Sequence, residues 1–429
     1  MIGQSVRTPA RAGQGIAEAE VSRRHHCGAR ELIKEGPPWL ALLALSADGQ
    51  TVSMSGADAV DGSSTGATSA IDVGAVRALM IRRSQVMQTI TTVGLDVAKS
   101  VFQVHCVDAD GEVVLRRQLK RRYVLAFFQK LPPCLVGIEA CASSHHWSRE
   151  LQALGHTVRL MPPAYVKPYV KRHKNDAADA EAICEAVTRP NMRFVPTKTP
   201  EQQSCLMLHR TRHLFIRQQT AVINSIRAHL AEFGIVAPVG RNGMEQLLEV
   251  VADAKDTRLP EIARACVAAL GTQLLALKAQ ILALDRRIMA WHRSNETSKR
   301  LDEIPGVGPA LATALVACIA DPKAFRSGRD FSAWIGLVPK QNSSGGKDKL
   351  GSFSKQGDRY LRSLFSAGAL AVIRYAKIHG TKHRPWLTAL LARRPTKVAA
   401  IALANKIARM VWAMMTRGER YKEPVALAA

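Results

Sequence analysis

The sequence of 429 residues predicts an α/β domain, followed by long helices and then by a mostly helical C-terminal region. Short β-rich segments alternate with helical segments between residues 87 and 198, and leucine or isoleucine recurs at three- and four-residue steps between 199 and 298. Apolar helical segments surround a Gly/Ser/Lys-rich insert between 299 and 424. A period of two residues indicates a strand and a period of 3.6 a helix, so we expect three folded regions with these bounds.

The first folded region combines short strands with helices. Five strands are expected, at residues 92–97, 101–107, 112–119, 134–138 and 157–161. The first three are joined by short turns, which predicts an antiparallel meander. Helices at 123–130 and 144–154 alternate with the last two strands, and this alternation indicates a mixed α/β sheet.

The second region carries two long helical segments, at residues 201–233 and 259–292. The second segment has an apolar stripe, formed by Leu270, Leu274, Leu277, Ile281, Leu284 and Ile288. Such a stripe is typical of a coiled coil or an antiparallel helical hairpin. Packing within one subunit and packing across a dimer seam are equally compatible with it.

The composition gives a formal net charge of +25, from 60 Lys and Arg against 35 Asp and Glu. A charge this positive implies a polyanionic partner, and nucleic acid is favoured over anionic lipid because no basic amphipathic helix stands out. No apolar run approaches the roughly 18–20 residues of a membrane-spanning helix, so we expect no membrane partner. The eight cysteines form no CxxC pair, as expected of free thiols in a reducing cytoplasm.

Residues 1–86 differ from the rest of the chain. They carry 9 Lys and Arg against 8 Asp and Glu, and residues 46–70 contain almost nothing to bury. Such a segment cannot offset the entropy of ordering itself. We therefore expect a disordered extension, and a start codon assigned too early would explain it, since Met87 directly precedes the first strand region and Met80 is another candidate start.

Four acidic side chains stand out in the first region. Asp96 lies inside a strand of otherwise apolar residues, and Glu139 ends another strand. Asp176 and Asp179 are three residues apart on one helix face. Each acid alone has a simpler explanation, such as a helix N-terminus or an exposed surface. Together they predict a site for Mg²⁺ or Mn²⁺, because clustered carboxylates repel one another without a cation and hard oxygen ligands select these ions.

Two further segments are candidates for binding phosphate. A basic run before the acidic pair contains Lys171, Arg172 and Lys174, although an ordinary solvated surface has the same composition. The sequence Pro-Gly-Val-Gly-Pro contains Gly306 and Gly308 and opens an apolar helix. This pattern is typical of a helix-hairpin-helix motif, whose backbone N–H groups face a DNA phosphate, but any short helix connection can use these residues.

The insert at 342–357 is rich in glycine, serine and lysine. Ser343 and Ser344 lie within it, where a hydroxyl could approach a phosphate closely. The basic candidates for binding nucleic acid around them are Lys347, Lys349, Lys355, Arg359 and Arg362. Composition alone favours a flexible nucleic-acid-binding loop over a nucleophilic serine.

Six short motifs occur in order along the chain. They are Val-Gly-Leu-Asp-Val-Ala-Lys at 93–99, Gly-Ile-Glu-Ala at 137–140, Lys-Asn-Asp-Ala-Ala-Asp-Ala-Glu-Ala-Ile at 174–183, Ile-Pro-Gly-Val-Gly at 304–308, Ser-Ser-Gly-Gly-Lys-Asp-Lys-Leu-Gly at 343–351 and Ser-Lys-Gln-Gly-Asp-Arg-Tyr-Leu-Arg at 354–362. With them, the chain from about residue 87 to 422 resembles the DEDD-type transposases of the insertion sequence 110 family, and especially its 1111 subgroup. Residues 1–86 have no counterpart in the family pattern.

The resemblance implies an RNase H-like (RuvC-like) N-terminal domain whose four acids bind Mg²⁺. These acids are Asp96, Glu139, Asp176 and Asp179. It also implies a C-terminal transposase domain with a serine nucleophile, which maps best to Ser344 and leaves Ser343 open.

Further expectations concern partners and location. The family is similar to serine recombinases in forming a phosphoserine link to DNA, and it uses an element-encoded bridge RNA. The resemblance therefore implies DNA and a structured guide RNA as partners, in the bacterial cytoplasm at the nucleoid. We also expect a homodimer or homotetramer, in which acids and serine come together across subunits.

Two other functions stay open on the sequence. A RuvC-like structure-specific nuclease would cleave DNA with water, and Ser344 would only contact the DNA backbone. A non-catalytic nucleic-acid-binding protein would use the positive charge without any strand cleavage.

Overall fold

The computed structural model describes residues 89–171, 175–380 and 385–422. The predicted extension at 1–86 lies outside the described residues. Arg172 and Lys174 of the basic run lie outside them as well.

Alternating side chains along five short strands build one mixed sheet. The strands are β1 (Thr92–Val97), β2 (Val101–Val107), β3 (Val113–Lys120), β4 (Leu135–Glu139) and β5 (Thr157–Met161). They lie in the order β3-β2-β1-β4-β5. The first three pair in antiparallel fashion, and β1, β4 and β5 are parallel. Each predicted strand is confirmed, with bounds that differ by at most one residue. The α/β class of this region is confirmed as well.

The two faces of the sheet contact different helices. These helices are α1 (Val124–Phe128), α2 (Ser144–Ala153), α3 (Pro163–Val166) and α4 (Asp176–Val187). Leu95 of β1 shares a buried cluster with Phe128 of α1 and Trp147 of α2. On the opposite face, Ile183 and Val187 of α4 lie directly against the strands. A residue's position along a strand therefore decides which helical layer it meets.

Two long antiparallel helices follow the sheet. They are α5 (Pro200–Ala231) and α7 (Glu261–Ser294), with the shorter α6 (Arg241–Ala252) between them. A capping box starts α5, in which Thr199 and Gln202 each accept a hydrogen bond from the other's backbone N–H. These bonds satisfy two backbone donors that the first helical turn leaves without partners.

The apolar stripe predicted on the second long helix packs within the subunit. Leu274 and Leu277 share a buried cluster with Ile226 and Leu230 of α5. The stripe is therefore part of an antiparallel hairpin inside one chain, and any dimer seam must use another face of α7.

The C-terminal region is a helical bundle around a buried central helix. Its elements are α8 (Glu296–Asp302), α9 (Pro309–Cys318), α10 (Gly328–Ile335), β6 (Pro339–Gln341), β7 (Leu350–Phe353), α11 (Arg359–His379), α12 (Pro385–Arg393) and α13 (Thr396–Arg417). Leu311 and Leu315 of α9 share one core with Phe365 of α11 and Ile407 of α13. The mostly helical prediction for this region is confirmed.

The Gly/Ser/Lys-rich insert forms a β-hairpin, whereas its composition predicts a flexible loop. Strands β6 and β7 pair in antiparallel fashion, and the N–H of Lys347 donates to the carbonyl oxygen of Ser344 at 3.1 Å. Gly345 and Gly346 between them have φ angles of 55° and 74°. Two consecutive positive φ angles are typical of a type I′ turn, which matches the twist of a hairpin and favours Gly-Gly.

Two helices, α7 and α13, are long and apolar enough to cross a membrane when judged by length and composition alone. Between Val267 and Leu284, Lys278 is the one charged residue in the sequence. The expectation that no apolar run approaches the spanning length is therefore wrong, because small residues such as alanine and glycine separate the leucines. In this fold α7 packs against α5, and α13 packs against α11.

We expect Gly368→Ala to lower the free energy of unfolding by at least about 2 kcal/mol, because backbone atoms would have to move apart. A Cβ atom added at Gly368 would lie 1.8 Å from the carbonyl oxygen of Gly306. Urea unfolding measures the change. Gly351→Ala is the matched control, since its added Cβ finds its nearest neighbour at 3.7 Å. Equal destabilisation by both substitutions would contradict this account of the packing.

Candidate metal centre and nucleic-acid interface

Three of the four predicted acids meet at one point beside the sheet. Carboxylate oxygens of Asp96, Asp176 and Asp179 all lie within 4.8 Å of one another. Asp96 comes from β1, and the two others come from the first turn of α4. Asp176 is exposed, whereas Asp96 and Asp179 are half-buried, so solvent can reach the cluster.

Two glycines allow α4 to approach the sheet closely. Gly94 of β1 and Gly137 of β4 are partners in the parallel register. A Cβ atom at Gly94 would lie 2.1 Å from the carbonyl oxygen of Ala180, and one at Gly137 would lie 2.8 Å from Cβ of Val187. Side chains two residues apart along a strand face the same side. The residues two positions after these glycines, Asp96 and Glu139, are therefore on the face that α4 covers.

The start of α4 is fixed by a side-chain cap. Asn175 has an extended backbone, and its Oδ1 atom accepts a hydrogen bond from the N–H of Ala178 at 2.8 Å. This cap begins the helix directly before the acidic pair. Because Asp176 and Asp179 are three residues apart, they share one face of the helix. The cap fixes the first turn, which carries both acids of this face.

Glu139 lies next to this cluster rather than within it. It ends β4, and its predecessor Ile138 pairs with Leu95 of β1. Glu139 therefore occupies the position on β4 that corresponds to Asp96 on β1. It is half-buried and does not belong to the group of oxygens within 4.8 Å of one another.

Gln103 is a neighbour of the cluster that sequence reasoning missed. It pairs with Asp96 across the antiparallel strands β1 and β2, so both side chains face the same side of the sheet. Gln103 is only 8% exposed. The signal was present in the sequence, since Gln103 is a polar residue in the apolar strand Val-Phe-Gln-Val-His-Cys-Val.

The described part of the basic run is already paired with acids. Nζ of Lys171 lies 3.6 Å from Oε1 of Glu181 and 3.3 Å from Oε2 of Glu185. The hydrogen bond to Glu185 and the charges of both carboxylates raise the pKa of Lys171. Lys171 therefore lies on the outer surface of α4 as part of an ion-pair network.

The predicted glycine pair before α9 has two different environments. Gly306 has a φ angle of 93° and packs against Gly368 of α11, so the fold itself requires a glycine there. Gly308 is exposed at the N-cap of α9, and a Cβ atom added to it would meet nothing within 4 Å. Open space therefore remains in front of the first turn of α9.

The two serines of the hairpin differ in their hydrogen bonds. Oγ of Ser343 accepts from the N–H of Lys349 at 3.1 Å and from Nε2 of Gln341 at 3.2 Å. Ser344 is exposed, and its hydroxyl makes no hydrogen bond within the described part of the chain. Its oxygen is thus open to a ligand, whereas that of Ser343 helps to hold the hairpin together.

The basic candidates near the hairpin also divide into two groups. Lys347, Lys349, Lys355 and Arg359 are exposed. Arg362 is half-buried, and its guanidinium donates to the carbonyl oxygens of Ile335 and Gln356 at 2.9 and 2.7 Å. Arg362 therefore holds the end of α10 against the segment before α11, which its sequence position did not reveal.

We expect Gly94→Ala to weaken Mn²⁺ binding at least about tenfold, a size typical of losing the support around metal ligands. The added Cβ would push α4 away from the sheet and separate Asp176 and Asp179 from Asp96. Isothermal titration calorimetry with Mn²⁺ measures the affinity, and Gly351→Ala is again the control. Unchanged Mn²⁺ affinity in a folded Gly94→Ala protein would contradict the proposed role of this contact.

Comparison with known families agrees with this geometry. A model described as the transposase IS116/IS110/IS902 family matches residues 298–384. A second transposase model, of the DEDD type in the IS110 group, matches residues 93–235. Together the two matches contain the acid cluster and the serine hairpin.

Curated relatives cover most of the chain. It is 48% identical over 338 residues to a putative transposase y4pF/y4sB of Sinorhizobium fredii, which covers 79% of this chain and 87% of that protein. It is 49% identical over 334 residues to a probable family 20 transposase of Pseudomonas aeruginosa, covering 78% and 99%. The transposase for insertion sequence element IS1111A of Coxiella burnetii is 38% identical over 341 residues, covering 80% and 94%. The chain therefore belongs to the IS110 family of transposases.

Proposed function

We propose that this transposase cleaves and rejoins DNA with a divalent metal ion held by its acids and with Ser344 as the nucleophile. The convergence of Asp96, Asp176 and Asp179 carries this proposal. Glu139, on the neighbouring strand, would complete the four-acid set. The activity would take place in the bacterial cytoplasm, at the nucleoid.

The donor set fits Mg²⁺ or Mn²⁺. All three converging ligands are carboxylate oxygens, which these hard cations prefer over nitrogen or sulfur. A bound ion of this kind would stabilise negative charge on a phosphodiester at this position. The side chains of Asp96 and Asp179 would be held in place by the sheet and by the capped start of α4.

The serine step exchanges one phosphodiester for another. Oγ of Ser344 would attack the scissile phosphorus, forming an O–P bond while the bond to the 3′ oxygen breaks. The serine hydroxyl loses its proton and the leaving strand gains one as its 3′-OH. Attack by a 3′-OH of another strand would reverse the step and release the serine. The free hydroxyl of Ser344 supports this residue over Ser343.

A second copy of the chain is part of this proposal. Acids and serine belong to different regions, and the outer face of α7 offers a seam. Leu275 and Leu282 are seven residues apart there and are 58% and 52% exposed. With 34 residues, α7 is about 50 Å long, and heptad spacing is typical of helices that pair along their length. We propose a homodimer built on this face.

A guide RNA completes the proposal. The family resemblance is its main support, and the excess of positive charge is compatible with a second nucleic acid. Exposed Lys347, Lys349, Lys355 and Arg359 offer phosphate contacts near the serine hairpin. The cleavage assay for this protein would therefore include RNA transcribed from the flank of its gene, with an RNase-treated sample for comparison.

We expect Ser344→Ala to abolish the covalent protein–DNA adduct, while Ser343→Ala retains it. The assay traps the adduct by denaturation after incubating protein, Mg²⁺, flank RNA and labelled element ends, and detects it as a shifted band. Ser343 is the matched control, because it is the same residue type one position away.

Other outcomes separate the alternatives. If Ser344→Ala still cleaves and no adduct ever forms, the protein is a nuclease that cuts with water. If neither cleavage nor Mn²⁺ binding occurs in the unsubstituted protein, it is a non-catalytic nucleic-acid-binding protein. Cleavage that persists after RNase treatment would overturn RNA guidance alone.

We expect the double substitution Leu275→Lys and Leu282→Lys to convert the dimer to a monomer, because charge would be buried along the seam. Light scattering after size-exclusion chromatography measures the mass. The control is Gln273→Lys with Gln280→Lys, which adds the same charge at the same spacing on exposed positions of α7. Loss of the dimer in both variants would argue against a seam at Leu275 and Leu282.

A further inference from the structure

A cavity of about 220 Å³ lies where α5, α9, α10 and α11 meet, apart from the acid cluster and the serine hairpin. Its polar lining is formed by Lys198, His209, Arg210, His213, Asp358 and Tyr360. Trp334 contributes an aromatic wall that is 40% exposed. The metal and serine chemistry proposed above uses none of these residues.

Lys198 is half-buried, and no carboxylate of the described residues forms an ion pair with its ammonium group. Its backbone N–H donates to Nδ1 of His145 at 3.2 Å, and its Nζ lies 3.4 Å from Nε2 of the same ring. A neutral imidazole that accepts at Nδ1 carries its proton at Nε2, so Nε2 cannot accept from the ammonium group. Among the described residues, no carboxylate forms an ion pair with Lys198 or Arg210.

The electrostatic field at this place is positive. Burial, followed by repulsion from Lys198, Arg149 and Arg210, lowers the pKa of His145 to about 4. Burial also lowers the pKa of Lys198 itself. An anion bound in the cavity would raise both pKa values again, because a negative charge nearby stabilises the protonated forms.

The cavity lining contains one carboxylate, Asp358, whose charge attracts Lys198. Asp358 is the N-cap of α11, and its Oδ1 atom accepts from the N–H of Leu361 at 2.8 Å. Two cationic side chains of the lining, Lys198 and Arg210, outnumber this single carboxylate. Positive charge is therefore in excess, which is the condition for binding an anion.

The other polar groups of the lining are neutral and fixed. Burial lowers the pKa of His209 to about 4 and raises that of Tyr360 to about 12. Oγ1 of Thr313 donates to the carbonyl oxygen of Pro309 at 2.7 Å, so it accepts from Nε2 of His209 at 2.9 Å. Nδ1 of His209 is then free to accept from the hydroxyl of Tyr360 at 3.0 Å. This chain of bonds holds the walls in place without adding charge.

We propose that this cavity binds a phosphate group of a nucleic-acid strand through Lys198 and Arg210, with Trp334 beside the neighbouring sugar or base. Phosphate fits because it accepts several charge-assisted hydrogen bonds at once. An aromatic wall beside a cationic groove is a common arrangement for single strands. The site goes beyond the proposed cleavage chemistry and does not depend on it.

The experiment titrates the full-length protein with inorganic pyrophosphate and follows tryptophan fluorescence. We expect a saturable change that disappears in Trp334→Phe. Arg210→Met should weaken binding at least about tenfold, the size of one lost hydrogen bond between charged groups. Arg217→Met is the matched control, because Arg217 is exposed on the same helix two turns further on and should leave the affinity within twofold. Lys198→Met tests the half-buried cation, with thermal unfolding as a check that it folds.

A second arm identifies the source of the phosphate. A single-stranded oligonucleotide should displace pyrophosphate, and the salt dependence of oligonucleotide binding should fall by about one phosphate contact in Arg210→Met. No response to pyrophosphate, or an equal loss in Arg210→Met and Arg217→Met, would overturn the site. Pyrophosphate binding that no oligonucleotide displaces would overturn the nucleic-acid assignment. Mn²⁺ binding at the acid cluster should be unaffected in Arg210→Met, which separates this site from the metal centre.

Discussion

The close packing of α4 against Gly94 and Gly137 of the sheet is the contact on which the candidate metal centre depends. Three carboxylates at short range repel one another, and this repulsion pushes α4 away from the sheet. The apolar contacts of Ile183 and Val187 with the strands oppose it. Only glycine at 94 lets the helix backbone come near enough for the acids to share one point. The site is therefore held together by apolar packing behind it, and a bound cation would remove the opposing force.

Much of this arrangement could be read from the sequence, because local patterns determine it. The strands follow from the alternation of apolar and polar residues. Because side chains two residues apart face the same side of a strand, Asp96 is expected on the same face as Gly94. The pairing of Asp176 with Asp179 follows from helical spacing. The offset of Glu139 from the other acids does not follow, since it depends on the register and twist between two strands that are far apart in sequence.

Features built from residues far apart in the sequence could not be predicted, because no local sequence pattern contains them. The basic cavity brings Lys198, Arg210 and Asp358 together from separate segments, and no motif contains more than one of them. Arg362 belongs to a basic stretch, yet its guanidinium binds backbone carbonyls. The faces of α7 are a different case. The apolar stripe of that helix could be read from the sequence, but exposed leucines at 275 and 282 lie outside that stripe, so the sequence could not tell whether the stripe packs within the subunit or against a second copy.

The type I′ turn of the hairpin also makes its two serines unequal. The hydroxyl of Ser343 accepts a hydrogen bond from the N–H of Lys349 across the hairpin, and Ser344 is the first residue of the turn. A serine's place relative to the Gly-Gly pair, rather than its identity, decides whether its hydroxyl is occupied. The duplication therefore provides no spare copy: replacing Ser344 would remove the open hydroxyl, because the hydroxyl of Ser343 is held by Lys349 and Gln341.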